Sequence, residues 1–266
     1  MHLKDFILIL PYLNNREGLI KSLNSIEYPT DRYEIIIVDD GSRVPLTRED
    51  IALSTVKSGK VEILRADQNK GVAAALNRAL EFIKDRTDFK YIARLDCGDL
   101  CVNERFSKQV EYLDNHPDVY LLGSKVIFRN PESGREYQYQ NKTIESEIRR
   151  EMHFKCSFIH PSVMFKREVL DQVGVYPENY LHCEDYAFFF QILRLKHVAI
   201  LPEILLITEW SDQGVSSRNR KRQLLSRIKV VSRFATDPAL KFGGLLRLIL
   251  LILIPLPVIR FVNTRK

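Results

Sequence analysis

The scarcities of this chain narrow it first. Four cysteines among 266 residues, Cys97, Cys101, Cys156 and Cys183, lack the dense spacing of a secreted disulfide framework, so reduced thiols in the cytosol are expected. The N-terminus has no signal-peptide pattern, because Met1-His2-Leu3-Lys4-Asp5 runs straight into a short apolar segment that meets Pro11 and Asn14. No uncharged run reaches bilayer length: the longest, Leu248 to Ile259, is shorter than the ~20 residues of a spanning helix. Acidic residues are missing between Arg218 and Arg233, where Arg218, Arg220, Lys221, Arg222, Arg227, Lys229 and Arg233 make a local basic face. Aromatics are not interleaved with those cations, which argues against nucleic acid as a partner. There is no internal repeat and no low-complexity linker.

What is present suits a folded α/β protein. With 45% apolar residues, the chain can bury one large core, or one core and a small appendage. Lys and Arg number 40 against 34 Asp and Glu, a modest excess concentrated late in the chain. The first hundred residues alternate strand and helix signals. Phe6–Leu10, Tyr33–Val38, Val61–Leu64 and Tyr91–Leu95 are strand-like apolar runs, separated by helical spacing over Arg16–Ile26 and Gly71–Ile83. Such alternation predicts a mostly parallel sheet flanked by helices. Further on, helices are expected over Glu104–Asn115, Thr143–Phe154 and Glu184–Leu195. Strands are expected over Val119–Phe128 and His160–Phe165, with a hairpin turn at Asn130-Pro131-Glu132-Ser133-Gly134.

Acids gather where strands give way to loops, the usual place for ligand chemistry in an α/β sheet. Asp39 and Asp40 follow the second strand, with Gly41 permitting close backbone approach. They either accept hydrogen bonds from a ligand or cap a loop with solvated carboxylates. Pro11, Tyr12 and Asn14 close the neighbouring strand as pocket backbone or as turn formers. Asn69-Lys70-Gly71 opens a helix, offering a cation and free N–H groups to a phosphate. Asp96 and Asp99 flank Cys97-Gly98 and have the oxygen chemistry of a hard divalent cation site. Glu184 and Asp185 begin a helix, either as a base pair for catalysis or as an ordinary acidic first turn. His153, Cys156, His160, His182 and Cys183 match no standard zinc spacing and are read as core and cleft residues.

Six segments, in this order, resemble family 2 glycosyltransferases: Pro11-Tyr12-Leu13-Asn14, Val38-Asp39-Asp40-Gly41-Ser42, Asn69 to Asn77, Arg94-Leu95-Asp96-Cys97-Gly98-Asp99, His160-Pro161-Ser162 and Glu184-Asp185. The resemblance spans residues 5–215. It implies a GT-A fold with a Rossmann-like nucleotide-binding sheet, a UDP-sugar donor and inversion at the anomeric carbon. It assigns the nucleoside to Pro11, Tyr12, Asn14, Asp39 and Asp40, and the diphosphate to Asn69, Lys70, Gly71 and Asp96. It also implies Mn²⁺ or Mg²⁺ on Asp96 and Asp99, and gives Asp185 the role of base, with Glu184 orienting it or touching the acceptor. Two departures stand out. Leu76 replaces a frequent Arg, and Gly98 replaces the third acid of the Asp-any-Asp-Asp pattern, so that, in this order of expectation, Asp99 shifts into its role, metal binding is weakened, or the chain is partly degenerate.

The implied organisation is a GT-A domain over 1–215 and a basic, apolar extension over 216–266. The tail from Phe242 to Val262 is expected to lie on anionic lipid, its alternative being packing against the domain or a second copy as a homo-oligomer. Trp210 and Ser211 to Ser216 form either a loop over the donor or a plain surface turn. The expected function is transfer of a sugar to a lipid-linked or cell-surface glycan precursor, peripherally at the cytoplasmic face of the membrane. The alternative is a non-catalytic sugar-nucleotide-binding or scaffolding partner in a membrane glycan-assembly complex.

Overall fold

The structure, a computed structural model, describes residues 3–56, 61–210 and 219–254. The first half runs β1 (Lys4–Tyr12), α1 (Arg16–Asn24), β2 (Tyr33–Asp39), α2 (Arg48–Ile51), β3 (Val61–Arg65), α3 (Val72–Ile83) and β4 (Phe89–Arg94). These four strands pair in parallel in the order β3-β2-β1-β4. Because they are parallel, their carboxyl ends share one edge of the sheet. That edge carries Tyr12, Asp39, Arg65 and Arg94.

Continuous apolar runs suit strands buried on both faces. In β1, Ile7 and Ile9 enter one core layer, while Phe6, Leu8 and Leu10 enter the other. In β2, Ile36 and Val38 face the first layer, and Ile35 and Ile37 the second. The helical spacing of α3 puts Ala75, Leu76, Ala79, Leu80 and Ile83 on its buried side, against the first layer. Leu19 and Leu23 of α1 close the second.

The second half adds β5 (Leu100–Cys101), α4 (Arg105–Asn115), β6 (Val119–Arg129), β7 (Glu136–Gln138), α5 (Glu145–Glu151), β8 (Met164–Lys166), α6 (Val169–Gln172), α7 (Glu184–Leu195) and β9 (His197–Glu209). It extends the sheet as β4-β8-β6-β9-β5, with β7 on β6 as the expected hairpin. The long β6–β9 pair is parallel, and the antiparallel partners are short strands. The expected strand over His160–Phe165 begins instead as a 3-10 turn at His160–Ser162. Pro161 has no N–H for a ladder and fits the first turn of a helix.

The chain then forms α8 (Arg220–Phe234) and α9 (Pro238–Leu253). Leu224, Val230, Val231 and Phe234 of α8 and Leu248 of α9 join the same core layer as Phe188, Phe189 and Phe190 of α7. The approach is close: a Cβ on Gly244 would collide with the His153 carbonyl. Arg247 Nη1 donates to the Phe154 carbonyl at 2.7 Å. The described part of the extension is therefore docked on the domain, while Phe242, Leu246, Ile249, Leu250 and Leu253 remain exposed. Among the described residues, no helix is long and apolar enough to cross a membrane.

Candidate active site

Backbone hydrogen bonds tie the first three motifs into one surface. The Asp40 N–H donates to the Tyr12 carbonyl at 2.9 Å, and the Asn14 N–H to Ser42 Oγ at 3.0 Å. Asp39 is fully buried, and its two oxygens accept from the N–H groups of Ser42 and Leu46 at 2.8 and 3.1 Å. Asp40 accepts from the N–H groups of Lys70 and Gly71 at 3.0 and 2.9 Å, so the loop after β2 holds the turn that opens α3. Gly41 has φ +74°, and a Cβ there would lie 2.5 Å from the Gln68 backbone. Only glycine allows the two loops to touch.

Beside these loops is a cavity of about 370 Å³ lined by Asp40, Asp67, Lys70, Asn77, Arg78 and Glu178. Leu76, where the sequence suggested a missing cation, is buried in the core. Arg78, two residues on, lines the cavity with Lys70. Asn77 instead accepts from the Tyr176 N–H at 2.8 Å and donates to its carbonyl at 2.8 Å, joining α3 to the segment before α7.

The acid loop after β4 is anchored from the opposite side. Ser22 Oγ of α1 donates to the Asp96 carbonyl and accepts from the Gly98 N–H. Arg94, only 4% exposed, grips the Asp96 carboxylate through Nε and Nη2 at 2.8 and 3.1 Å. A buried guanidinium of this kind needs a carboxylate partner. Asp99 has a different environment. It is 5% exposed, Thr208 Oγ1 donates to its Oδ1 at 2.5 Å, and its Oδ2 is buried without a partner. Burial, reinforced by the nearby Asp96 charge, pushes the Asp99 carboxyl up to about 8. The two acids given to a cation by sequence thus differ: Asp96 is partly open, and Asp99 is enclosed.

Glu184 and Asp185 begin α7, as the pattern predicted. Glu184 is buried, whereas the Asp185 side chain is 27% exposed. Asp185 Oδ2 lies 3.8 Å from His160 Nδ1, and its Oδ1 accepts from the Tyr186 N–H at 2.7 Å. Burial raises both carboxyls, with the Asp185 charge adding to the rise of Glu184 to about 7. Burial and the Arg94 charge push the His160 imidazole well down, so it is neutral. Arg94 acts electrostatically on Asp96, Asp185, Glu184, His160 and Tyr176, which makes it the charge at the centre of this cluster. Sequence reasoning did not single it out as a site residue. The available signal was a cation inside the apolar run Tyr91–Leu95.

The remaining histidine and cysteine residues do not form a metal centre, since no group of three His, Cys, Asp or Glu able to hold a metal occurs among the described residues. All four cysteines are free. The segment after Trp210, Ser211 to Ser216, lies outside the described residues.

The glycosyl transferase family 2 model matches residues 7–174, which contain the loop after β2, the turn that opens α3, the acid loop and the His-Pro-Ser turn. The chain belongs to glycosyl transferase family 2. A relative in this group, the amylovoran biosynthesis glycosyltransferase AmsE of Erwinia amylovora, is 30% identical over 234 residues, covering 88% of this chain and 84% of the relative. The O-antigen biosynthesis glycosyltransferase WbnJ of Escherichia coli is 27% identical over 163 residues, 61% of each chain. The chain is thus a glycosyltransferase with relatives in polysaccharide and O-antigen biosynthesis. Its curled, mostly parallel sheet is the GT-A fold. TarS residues 1–349 of S. aureus, solved with UDP-GlcNAc, superposes with TM-score 0.66 at 17% identity, covering 91% of this chain and 70% of that fragment. The mannosyltransferase PcManGT of Pyrobaculum calidifontis, solved with GDP-Man and Mn²⁺, gives 0.65 at 18%, covering 93% and 69%.

Proposed function

We propose that this family 2 enzyme moves a sugar from a UDP-sugar, with inversion, to a hydroxyl of a lipid-linked or cell-surface glycan precursor. The observation that carries this reading is the approach of two clusters: a partly open Asp185 at the start of α7 and the Arg94–Asp96 pair at the end of β4, linked by the electrostatic reach of Arg94. In the reaction, Asp185 takes the proton of the acceptor hydroxyl as its oxygen bonds to the anomeric carbon. The bond from that carbon to the diphosphate oxygen breaks on the opposite face, and UDP leaves with the electron pair. A desolvated carboxylate is the stronger base, which is what the raised Asp185 group offers.

Donor binding is assigned to the cavity side. Lys70 and Arg78 are the cations for the diphosphate there. Asp40 lines the cavity with them, while Pro11, Tyr12, Asn14, Asp39, Asn69 and Gly71 belong to the adjoining strand ends and loops, with Asp39 and Asp40 shaping backbone rather than offering free carboxylates. The oxygen chemistry and partial opening of Asp96 fit a hard divalent cation, Mn²⁺ or Mg²⁺. Such an ion would neutralise charge developing on the departing diphosphate. Asp99, enclosed by Thr208, would hold the loop.

Peripheral contact with the cytoplasmic face of a membrane is supported by α9. Its exposed Phe242, Leu246, Ile249, Leu250 and Leu253 recur at helical spacing, beside the basic α8 with exposed Lys221, Arg222, Lys229 and Arg233. A lipid-held acceptor would then reach the cleft from the bilayer. The test is turnover across UDP-glucose, UDP-galactose, UDP-N-acetylglucosamine and GDP-mannose, with lipid-linked acceptors, comparing the wild type with Asp185→Asn. Transfer from a UDP-sugar that vanishes in the variant supports the reading. Transfer that survives Asp185→Asn, or occurs only from GDP-mannose, overturns the assigned base or the assigned nucleotide.

A further inference from the structure

We propose that Glu209 supplies the second protein carboxylate of the cation site, opposite Gly98, so that Asp96 and Glu209 hold the ion together with the donor's diphosphate. The inference rests on the nucleotide-sugar reading and adds a residue that no motif points to. It begins with strand register. β5 pairs antiparallel with β9, Leu100 opposite Ile207 and Cys101 opposite Leu206. Continued back through the acid loop, that register sets Asp99 against Thr208 and Gly98 against Glu209. The hydrogen bond between Asp99 and Thr208 confirms the first step, and the Gly98 surroundings confirm the second. A Cβ built on Gly98 would lie 3.8 Å from Glu209 Oε2 and 3.9 Å from Asn15 Nδ2.

Alternation of side chains then divides the labour. Residues 99 and 208 meet on the buried side of this ribbon, and Gly98 and Glu209 meet on the other. Asp99 is enclosed, whereas Asp96, although both its oxygens accept from Arg94, keeps a side chain 35% exposed and is the open carboxylate of the loop. Gly98 has φ +104°, a conformation in which an aspartate at this position would be strained. Glu209 brings a carboxylate to the same spot from the facing strand and leaves the loop in its glycine conformation. Its side chain is exposed and makes no hydrogen bond or ion pair among the described residues. One or two carboxylates with a diphosphate complete the oxygen shell of Mg²⁺ or Mn²⁺.

The experiment is Mn²⁺ binding to the intact protein, followed by electron paramagnetic resonance with and without UDP. Wild type, Glu209→Gln, Glu209→Asp and Asp99→Asn are compared, with folding checked by thermal melting. Glu209→Gln should weaken Mn²⁺ about tenfold or more, Glu209→Asp should recover part of the loss, and Asp99→Asn should stay within about twofold. Unchanged binding in Glu209→Gln, or no Mn²⁺ binding by the wild type, overturns the inference. UDP affinity measured by calorimetry in chelator separates the two claims, because a failure there rejects the nucleotide reading whichever way the Mn²⁺ series falls.

Discussion

Carboxylates at the end of β2 and carboxylates between β4 and α7 are the same chemical group in opposite circumstances. Asp39 and Asp40 each have two backbone N–H partners, and those bonds fasten two loops together. Glu184, Asp185 and Asp99 also have hydrogen bonds that favour the charged form, Asp185 from the Tyr186 N–H and Asp99 from Thr208, but burial outweighs them and all three carboxyls are raised. The first pair fixes the backbone of two adjoining loops. The second group holds its protons more tightly, and at Asp185 that is the proton affinity on which the proposed transfer would draw.

The sharpest break of that contrast is Asp185→Asn, which keeps shape and removes the base. Its kcat should fall by about 10²- to 10⁴-fold, with UDP affinity nearly unchanged by calorimetry. On the other side, Asp39→Ala should act on stability instead. It orphans two buried N–H groups, a loss of about 2–4 kcal/mol readable in urea unfolding. A kinetic defect in Asp39→Ala at full stability would erase the distinction.

The pH profile sharpens it further. Because burial raises both carboxyls of the acid pair above the ordinary carboxylate range, kcat/KM should fall as pH drops, with its acid limb above that range. Glu184→Gln removes the neighbouring charge, so the limb should move to lower pH in a full pH–rate series. Asp99 gives a smaller, purely thermodynamic effect. Its raised group, at about 8, binds a proton more tightly in the folded protein than in the unfolded chain. Stability therefore declines as pH rises from the carboxylate range towards 8, and Asp99→Asn should gain on the wild type across that window in metal-free denaturation series. The smallest effect on chemistry is expected from Phe242→Asp with Leu246→Asp on α9. Sedimentation with anionic vesicles should be lost while turnover of a soluble acceptor analogue stays intact.

Much of this was legible in the chain. Apolar runs ending in acids announced parallel strands and the sheet edge at which those acids stand, and the helix over Glu184–Leu195 appears with the bounds its periodicity predicted. The tail was legible only in part. Its apolar composition suggested lipid, whereas the contact between Gly244 and His153 and the burial of Leu248 show that one side of α9 belongs to the domain. Composition counts apolar residues on every side of a helix; only packing assigns the sides.

By itself the sequence determined which groups stand at the sheet edge and in what order, because strand and helix periods are local and the acids follow them at short range. Tertiary structure decided what each acid became. Thr208 encloses Asp99 from 109 positions away, Arg94 reaches both Asp96 and Asp185, and Glu209 comes to face Gly98 through a register between β5 and β9. A carboxylate's charge state and partners depend on what lies within a few ångströms, and those neighbours are chosen by the pairing of distant strands rather than by adjacent residues.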